Sequence, residues 1–204
     1  MTLVLASSSP RRRILLRLLV DDFEVHPADI DEEAPHRLPI PDALRVIARK
    51  KALAVGADRP DDWILAADTV VVLDGELIGK SQNEAEERLA LARLSGHRHE
   101  VVTGLALVWG DEVIDDADVT TRLRMDRLPG PLVQRYVASG AWQGKAGGYG
   151  IQDALLRGHV HIEAGAWSNV VGLPLAATAH LLRRNGIAVM DPPAESAVAT
   201  QDLS

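Results

Sequence analysis

Two tight-turn signals most strongly constrain the fold of this chain. Asp74-Gly75 and Gly110-Asp111 each separate two strand-like apolar segments, at 64–73 and 76–78 and at 101–109 and 112–119. Such dipeptides are typical of the short turn in an antiparallel hairpin. Elsewhere, apolar segments of strand length alternate with helical patterns, which indicates strand–helix units. The two patterns together predict an α/β protein with a mixed sheet, and they argue against a simple dinucleotide-binding fold.

The predicted helices carry recognisable first and last residues. Ser9 followed by Pro10 is typical of a helix start, here for a helix over residues 10–19. Asn83 with Glu86 three residues later forms a capping box for a helix over residues 84–94. Further helices that each end at a glycine are predicted over residues 41–55, 131–139 and 174–185. Further strands are predicted over residues 3–6, 121–125 and 159–163.

The predicted elements form a single domain over residues 1–187. A chain of 204 residues is long enough to bury a substantial core in one such domain. Residues 188–204 include Pro192 and Pro193 and show little periodicity, so we expect a flexible C-terminal tail there.

Composition excludes several classes of protein. The net charge of −7 argues against non-specific binding to nucleic acid. No apolar run approaches the ~20 residues of a membrane span, and residues 1–13 contain no signal-peptide core. We therefore expect neither nucleic acid nor a membrane as a partner. The absence of cysteine excludes disulfides, thiolate metal sites and a cysteine nucleophile, and it fits a reducing cytosol.

The first candidate site is the turn between the first strand and the first helix. It contains three serines and three arginines, at Ser7, Ser8, Ser9, Arg11, Arg12 and Arg13. Arginines in the first turn of a helix oppose the helix dipole, so a bound anion would offset their charge. Serine hydroxyls, free N–H groups and guanidinium groups suit phosphate oxygens. We favour a phosphate site over the alternative, in which the arginine side chains extend into water.

The second candidate is Asp68-Thr69, which interrupts an otherwise apolar strand segment. An unpaired charge buried in such a segment is strongly unfavourable, so a metal, a cation or a catalytic task would account for the carboxylate. Alternatively, Asp68 lies on the solvent face of an edge strand or contacts a neighbouring loop. Lys80, which follows the first hairpin, can return to the same end of the sheet.

Charged residues elsewhere could complete such a site. Acidic residues gather at Asp29, Asp31, Glu32 and Glu33, which is typical of a solvated loop, although one or two could help to bind Mg²⁺ together with substrate phosphates. Lys50 and Lys51 occupy an exposed helix face by default, but either could bind a polyphosphate as a point charge.

The third candidate is a glycine-rich loop predicted over residues 142–150. It contains Lys145, and Gln152 follows it with an amide that can pair with the edge of a nucleobase. The alternative is a flexible surface loop. His97 and His99, like His159 and His161, have no third ligand at motif spacing, which argues against a histidine metal site. These residues alone suggest a metal-dependent enzyme acting on a phosphorylated small molecule.

Several motifs identify a resemblance to a known family. They are LASSSPRR at 5–12, ADTVV at 67–71, GK at 79–80, LSGHRHEVVTG at 94–104, KAGGYGIQ at 145–152 and NVVGLP at 169–174. In this order and spacing they resemble the Maf family of nucleoside triphosphate pyrophosphatases. The resemblance extends from about residue 3 to residue 186, which is nearly the whole chain.

The resemblance implies a cytoplasmic hydrolase that cuts a nucleoside triphosphate between its α- and β-phosphates. It implies Mg²⁺, or another divalent cation such as Mn²⁺, as cofactor, and a homodimer. The implied fold is an elongated mixed sheet in two lobes flanked by helices, similar to inosine triphosphate pyrophosphatases, with the nucleotide in a central cleft. The string YGIQ at 149–152 resembles the branch acting on dTTP and UTP, with modified pyrimidine nucleotides as further candidate substrates.

The resemblance also implies roles for individual residues. Asp68 matches the proton acceptor, and Glu32, Lys51 and Lys80 match other active-site positions. We predict that Asp68 and Glu32 bind the metal ion. Arg12, Thr69 and Gln152 match positions linked to base selection. The sequence departs from the family pattern at two places. Ser81 replaces a common proline in the loop of Lys80, and residues 164–167 replace a glycine–serine–aromatic run at the expected cleft floor.

The sequence leaves two alternatives open. One is a 7-methyl-GTP pyrophosphatase of the same family. The other is a nucleotide-binding regulator of cell division, in which hydrolysis is incidental.

Overall fold

A computed structural model describes residues 1–30 and 38–199. It contains seven strands in one sheet: β1 (Leu3–Leu5), β2 (Glu24–Val25), β3 (Trp63–Leu73), β4 (Glu76–Ile78), β5 (Arg98–Trp109), β6 (Glu112–Met125) and β7 (Val160–Ala164). The helices are α1 (Pro10–Arg17), α2 (Ile40–Gly56), α3 (Glu84–Leu94), α4 (Gly130–Ala138), α5 (Trp167–Val171), α6 (Leu175–Arg184) and α7 (Glu195–Val198). Within the described ranges, no helix is long and apolar enough to cross a bilayer.

The sheet is mixed, as the hairpin signals predicted. Its strand order is β2-β1-β3-β5-β6-β7, with β4 paired to the end of β3. β1 runs parallel to β2 and β3, whereas the pairs β3–β4, β3–β5, β5–β6 and β6–β7 are antiparallel. Asp74 and Gly75 both have positive φ, at 52° and 81°, which the two central residues of a tight hairpin turn require. Both predicted hairpins are confirmed.

Two long strands give the molecule two lobes. Along one face of β3, Leu65 and Ala67 belong to a core formed with α1, α5, α6 and α7, which we call the first lobe. Further along the same face, Val71 and Leu73 belong to a second core formed with α3, α4 and β7, which we call the second lobe. Helix α2 packs against β3 and β5 from the opposite face. The strands therefore connect the lobes and place residue 69 between them.

Three elements were not predicted from the sequence. β2 is two exposed residues long, and α5 is five residues long, so neither has enough residues to show periodicity. α7 lies in the segment expected to be a flexible tail. Within that segment, α7 packs on the first lobe: Val198 is fully buried, and Glu195 accepts hydrogen bonds of 2.7 Å from both the N–H and the Oγ of Ser168. These tertiary contacts leave no local sequence pattern.

Candidate active site

The cavity that contains the predicted residues opens at a gap in the edge of β3. β1 pairs with Trp63–Leu65 and β4 with Val71–Leu73, both on the edge opposite β5. In the described part of the chain, residues 66–70 therefore have no neighbouring strand on that edge. A cavity of about 430 Å³ lies at this gap between the lobes. Eleven of the candidate site residues line it, namely Ser7, Ser8, Ser9, Arg11, Arg12, Lys51, Asp68, Thr69, Lys80, Lys145 and Gln152, whereas Arg13, Asp29 and Lys50 do not.

Glu32 lies outside the described residues, as do Asp31 and Glu33. The histidines considered as metal ligands do not line this cavity. Among the described residues, no cluster of three or more His, Cys, Asp or Glu side chains is arranged to hold a metal ion.

Asp68 is buried and forms an ion pair with Lys51. Asp68 is 8% exposed and Lys51 6%, and the Lys51 Nζ donates to Asp68 Oδ1 at 2.5 Å. Because Asp68 is buried and contacts Lys51 of α2, the alternative of a carboxylate on the solvent face is wrong. The default expectation of an exposed helix face holds for Lys50 but is wrong for Lys51, because α2 packs that side against the sheet.

Arg12 links three segments around the cavity. Its Nε donates to the carbonyl of Gly172 at 2.8 Å, and its Nη2 donates to Thr69 Oγ1 at 3.0 Å. Thr69 Oγ1 also lies 2.9 Å from Thr103 Oγ1. The guanidinium is thus positioned by protein contacts, rather than extending freely into water. The NVVGLP motif contributes to the site through the backbone of Gly172.

The serine turn forms the predicted helix start. Ser9 Oγ accepts from the N–H of Arg12 at 3.4 Å, and Ser7 Oγ accepts from the N–H of Ser9 at 3.2 Å. The first turn of α1 contains no acidic residue. Arg11 is half-buried, and this burial lowers its guanidinium pKa, whereas the charge of Asp153 opposes that shift.

The glycine-rich loop closes on a carboxylate that sequence reasoning missed. Asp153 pairs with Lys145, and its Oδ2 accepts from the Tyr136 hydroxyl at 2.5 Å and from the Gly150 N–H at 2.9 Å. Burial lowers the pKa of Lys145, and Asp153 opposes this shift. Gln152 Oε1 is buried without a hydrogen-bond partner among the described residues. The sequence offered no signal for Asp153, because its partners are brought together only by the fold.

The loop of Lys80 contacts the glycine-rich loop and a second buried carboxylate. Gly147 donates its N–H to the carbonyl of Gly79 at 3.1 Å, and Ser81 donates to Glu87 Oε2 at 2.8 Å. Burial raises the pKa of Glu87 to about 7, against the opposing effects of Ser81 and Lys145. The departure at Ser81 thus forms a specific contact, and Lys80 still lines the cavity.

The second departure lies outside the cavity. None of residues 164–167 is among the described residues that line it, and Trp167 packs in the core of the first lobe. The expected change to the cleft floor is therefore not seen.

The side chains lining the cavity determine whether it suits a divalent cation. Asp68 is the only acidic side chain among the described residues lining the cavity. Mg²⁺ is usually bound by one or two carboxylates together with substrate phosphates and water. One buried carboxylate beside a cationic cavity fits that requirement.

The chain is similar to several known proteins. The family model described as Maf-like protein matches residues 2–185. The dTTP/UTP pyrophosphatase of Pyrococcus abyssi is 42% identical over 183 residues, covering 89% of this chain and 95% of that protein. The dTTP/UTP pyrophosphatase of Anaeromyxobacter dehalogenans is 46% identical over 191 residues, covering 90% and 94% respectively. Among solved structures, a HAM1 protein from Coxiella burnetii matches with a TM-score of 0.43 and 17% identity, covering 62% of this chain and 74% of that one.

Proposed function

The chain belongs to the Maf family, and from this membership we propose that it is a nucleoside triphosphate pyrophosphatase acting on dTTP and UTP. It hydrolyses the bond between the α- and β-phosphates and releases the monophosphate and pyrophosphate. Relatives that are 41–46% identical over most of the chain carry the name dTTP/UTP pyrophosphatase. The structural observation that supports this most directly is the buried Asp68–Lys51 pair in a cationic cavity.

The charge of the cavity suits a polyphosphate. Five basic side chains and one acidic side chain line it among the described residues: Arg11, Arg12, Lys51, Lys80, Lys145 and Asp68. Guanidinium and ammonium groups bind phosphate oxygens through charge-assisted hydrogen bonds. A bound triphosphate would neutralise this excess of positive charge.

The proposed chemistry is attack of water on the α-phosphorus. Asp68 orients the water and accepts its proton, while the new P–O bond forms and the bond to the leaving pyrophosphate breaks. Lys51 holds the Asp68 carboxylate, and Arg12, Lys51 and Lys80 stabilise charge on the phosphates. Gln152 and Thr69 contact the edge of the pyrimidine.

A divalent cation, Mg²⁺ or Mn²⁺, is part of this proposal. Asp68 would hold it together with Glu32, which lies outside the described residues. When bound, the cation would neutralise charge on the triphosphate. The family resemblance also supports a cytoplasmic homodimer, and the absence of cysteine fits a reducing compartment.

Pyrophosphate release from a panel of nucleotides tests the proposal. Purified protein with Mg²⁺ should release pyrophosphate fastest from UTP and dTTP, and more slowly from CTP, GTP and 7-methyl-GTP. A preference for 7-methyl-GTP would assign the chain to the other branch. Binding of all these nucleotides without turnover would instead indicate a regulator.

A further inference from the structure

We propose that Asp153 is a positioning residue that sets the nucleotide selectivity of the cavity by closing the loop from Lys145 to Gln152. This inference rests on the proposed function, since it concerns the same cavity. Asp153 itself does not line the cavity, whereas Lys145 and Gln152 do. Its effect on substrate must therefore pass through the residues that it holds.

A single carboxylate joins two points of this loop. Lys145 at the beginning pairs with Asp153, and the N–H of Gly150 donates to Asp153 Oδ2 at 2.9 Å. The N–H of Asp153 in turn donates to the carbonyl of Gly150 at 3.0 Å. With both points held by one side chain, the glycines between them lose much of the backbone freedom that they would have in an open loop.

Tyr136 anchors this closed loop to the second lobe. Its hydroxyl donates to Asp153 Oδ2 at 2.5 Å and lies 3.2 Å from the carbonyl of Gly148. The side chain is fully buried in the core beside α3. Burial and the charge of Asp153 raise the pKa of the Tyr136 hydroxyl, so the group stays protonated and remains a donor.

The ion pair between Lys145 and Asp153 is largely buried, so its loss should disturb the loop. The side chains of Lys145 and Asp153 are each 11% exposed. Removing one partner of a buried ion pair leaves the other charge uncompensated, which is more disruptive than breaking an exposed pair. Arg11 and Glu87 are the other charged groups that affect the pKa of Lys145. The hydrogen bonds from the Gly150 N–H and the Tyr136 hydroxyl go to Asp153.

Gln152 is coupled to Asp153 through Gly150. A methyl group at Gly150 would lie 2.8 Å from Gln152 Oε1 and 2.9 Å from each carboxylate oxygen of Asp153. The amide and the carboxylate therefore pack against the same glycine, and the position of one depends on the other. Gln152 lines the cavity, and its Oε1 is buried without a hydrogen-bond partner in the described structure, so the packing at Gly150 determines where this amide lies.

The hydrolytic residues are held by different elements. Asp68 lies on β3 and Lys51 on α2, and their contact is direct. Loosening the loop should thus alter recognition of the base more than the chemical step. This predicts a specific kinetic signature, in which KM and selectivity change while kcat does not.

The test compares Asp153→Asn with the wild type, using UTP and CTP as substrates. Losing a buried charged hydrogen bond should raise KM for UTP about tenfold and reduce the preference for UTP over CTP by a similar factor. kcat for UTP should stay within about threefold of wild type, since that ratio corresponds to less than 1 kcal/mol. Asp21→Asn, which changes an exposed aspartate, is the matched control and should change neither value.

Tyr136→Phe provides an independent variant that keeps the carboxylate and removes only the anchoring hydroxyl. It should show the same signature with a smaller rise in KM, and it serves alone if Asp153→Asn does not fold. An unchanged ratio of UTP to CTP in a folded variant, or an equal fall in kcat for both nucleotides, would overturn the inference. A wild-type protein that hydrolyses no nucleotide would instead contradict the proposed function.

Discussion

Asp68 interrupts an aliphatic run in β3, where an unpaired buried charge would strongly destabilise the fold. The Nζ of Lys51 compensates that charge at 2.5 Å, and the cavity gives the carboxylate access to a substrate. At the residue scale, the Asp68–Lys51 pair therefore both compensates a buried charge and leaves the carboxylate where it can act on a substrate.

Asp68→Asn should retain nucleotide binding and lose about 10²–10⁴-fold in kcat, since the variant lacks the proton acceptor. Steady-state kinetics with UTP, together with calorimetric titration of the nucleotide, checks both parts. Asp74→Asn, in the exposed hairpin turn that follows the same strand, is the control. Near-normal turnover by Asp68→Asn would show that another group accepts the proton.

The raised pKa of Glu87 should make the free energy of unfolding depend on pH. Its pKa is raised from 4.5 to about 7 in the folded protein, so the folded state holds this proton more tightly than the unfolded state. The resulting stabilisation is complete below about pH 4.5 and is lost as the pH rises through 7. The loss is on the order of 3 kcal/mol.

Glu87→Gln removes this titration and retains an acceptor for Ser81. The variant should have a higher Tm than wild type at pH 8, and the difference should disappear toward pH 5. Thermal unfolding across this range measures it. A difference in Tm that is constant with pH would contradict the assignment of a protonated carboxyl to the folded state.

At the scale of elements, the close contact between α2 and β5 determines where Lys51 lies. Gly104 pairs with Asp68 across the two strands, and a methyl group there would lie 2.4 Å from the backbone carbon of Leu44. Gly104→Ala should therefore push α2 away from the sheet and destabilise the protein by about 1–3 kcal/mol. The same shift should lower kcat by moving Lys51.

Denaturant unfolding and kinetics on Gly104→Ala measure these effects. Gly130→Ala is the matched control, because a methyl group at Gly130 meets nothing within 4 Å. If Gly104→Ala were as stable and active as the control, the packing of α2 on β5 would not position the ion pair.

Elements that depend on local chemistry could be predicted from the sequence, whereas an element that depends on distant contacts could not. The hairpin at Asp74 and the start of α1 at Ser9 depend on turn and capping chemistry within a few residues, so their signals are local. α7 depends on burial of Val198 and on contacts of Glu195 with Ser168, which are distant in sequence. No periodicity over four residues could reveal it.

The residues of the site also differ in whether the sequence alone could identify them. Asp68 was identified because a charge is conspicuous in an apolar strand, and the serine–arginine turn because arginines there oppose the helix dipole. The family motifs then added roles for these residues. Asp153 and Glu87 gave no such signal, since an acidic residue in a loop or on a helix is ordinarily solvated. Their importance comes from partners such as Tyr136 and Ser81 that only the folded chain brings near.

For the molecule as a whole, the gap in the edge of β3 lets both lobes contribute to one cavity. Arg12 comes from the first lobe, and Lys145 and Gln152 come from the second. A nucleotide that contacts both lobes should stabilise the whole fold. A non-hydrolysable UTP analogue with Mg²⁺, at about 100 times its Kd, should add about 2.7 kcal/mol to the free energy of unfolding.

Thermal unfolding with and without the analogue measures this stabilisation. The accompanying rise in Tm should shrink when EDTA removes the cation. A rise of equal size with EDTA present would contradict the proposed part of Mg²⁺ in nucleotide binding.

The most direct test of the proposed chemistry is the position of bond cleavage. Hydrolysis of UTP in water labelled with ¹⁸O, followed by mass spectrometry of both products, locates the attacked phosphorus. The label should appear in UMP, because water activated by Asp68 attacks the α-phosphorus. Label in the pyrophosphate instead would place the attack on the β-phosphorus and contradict the account.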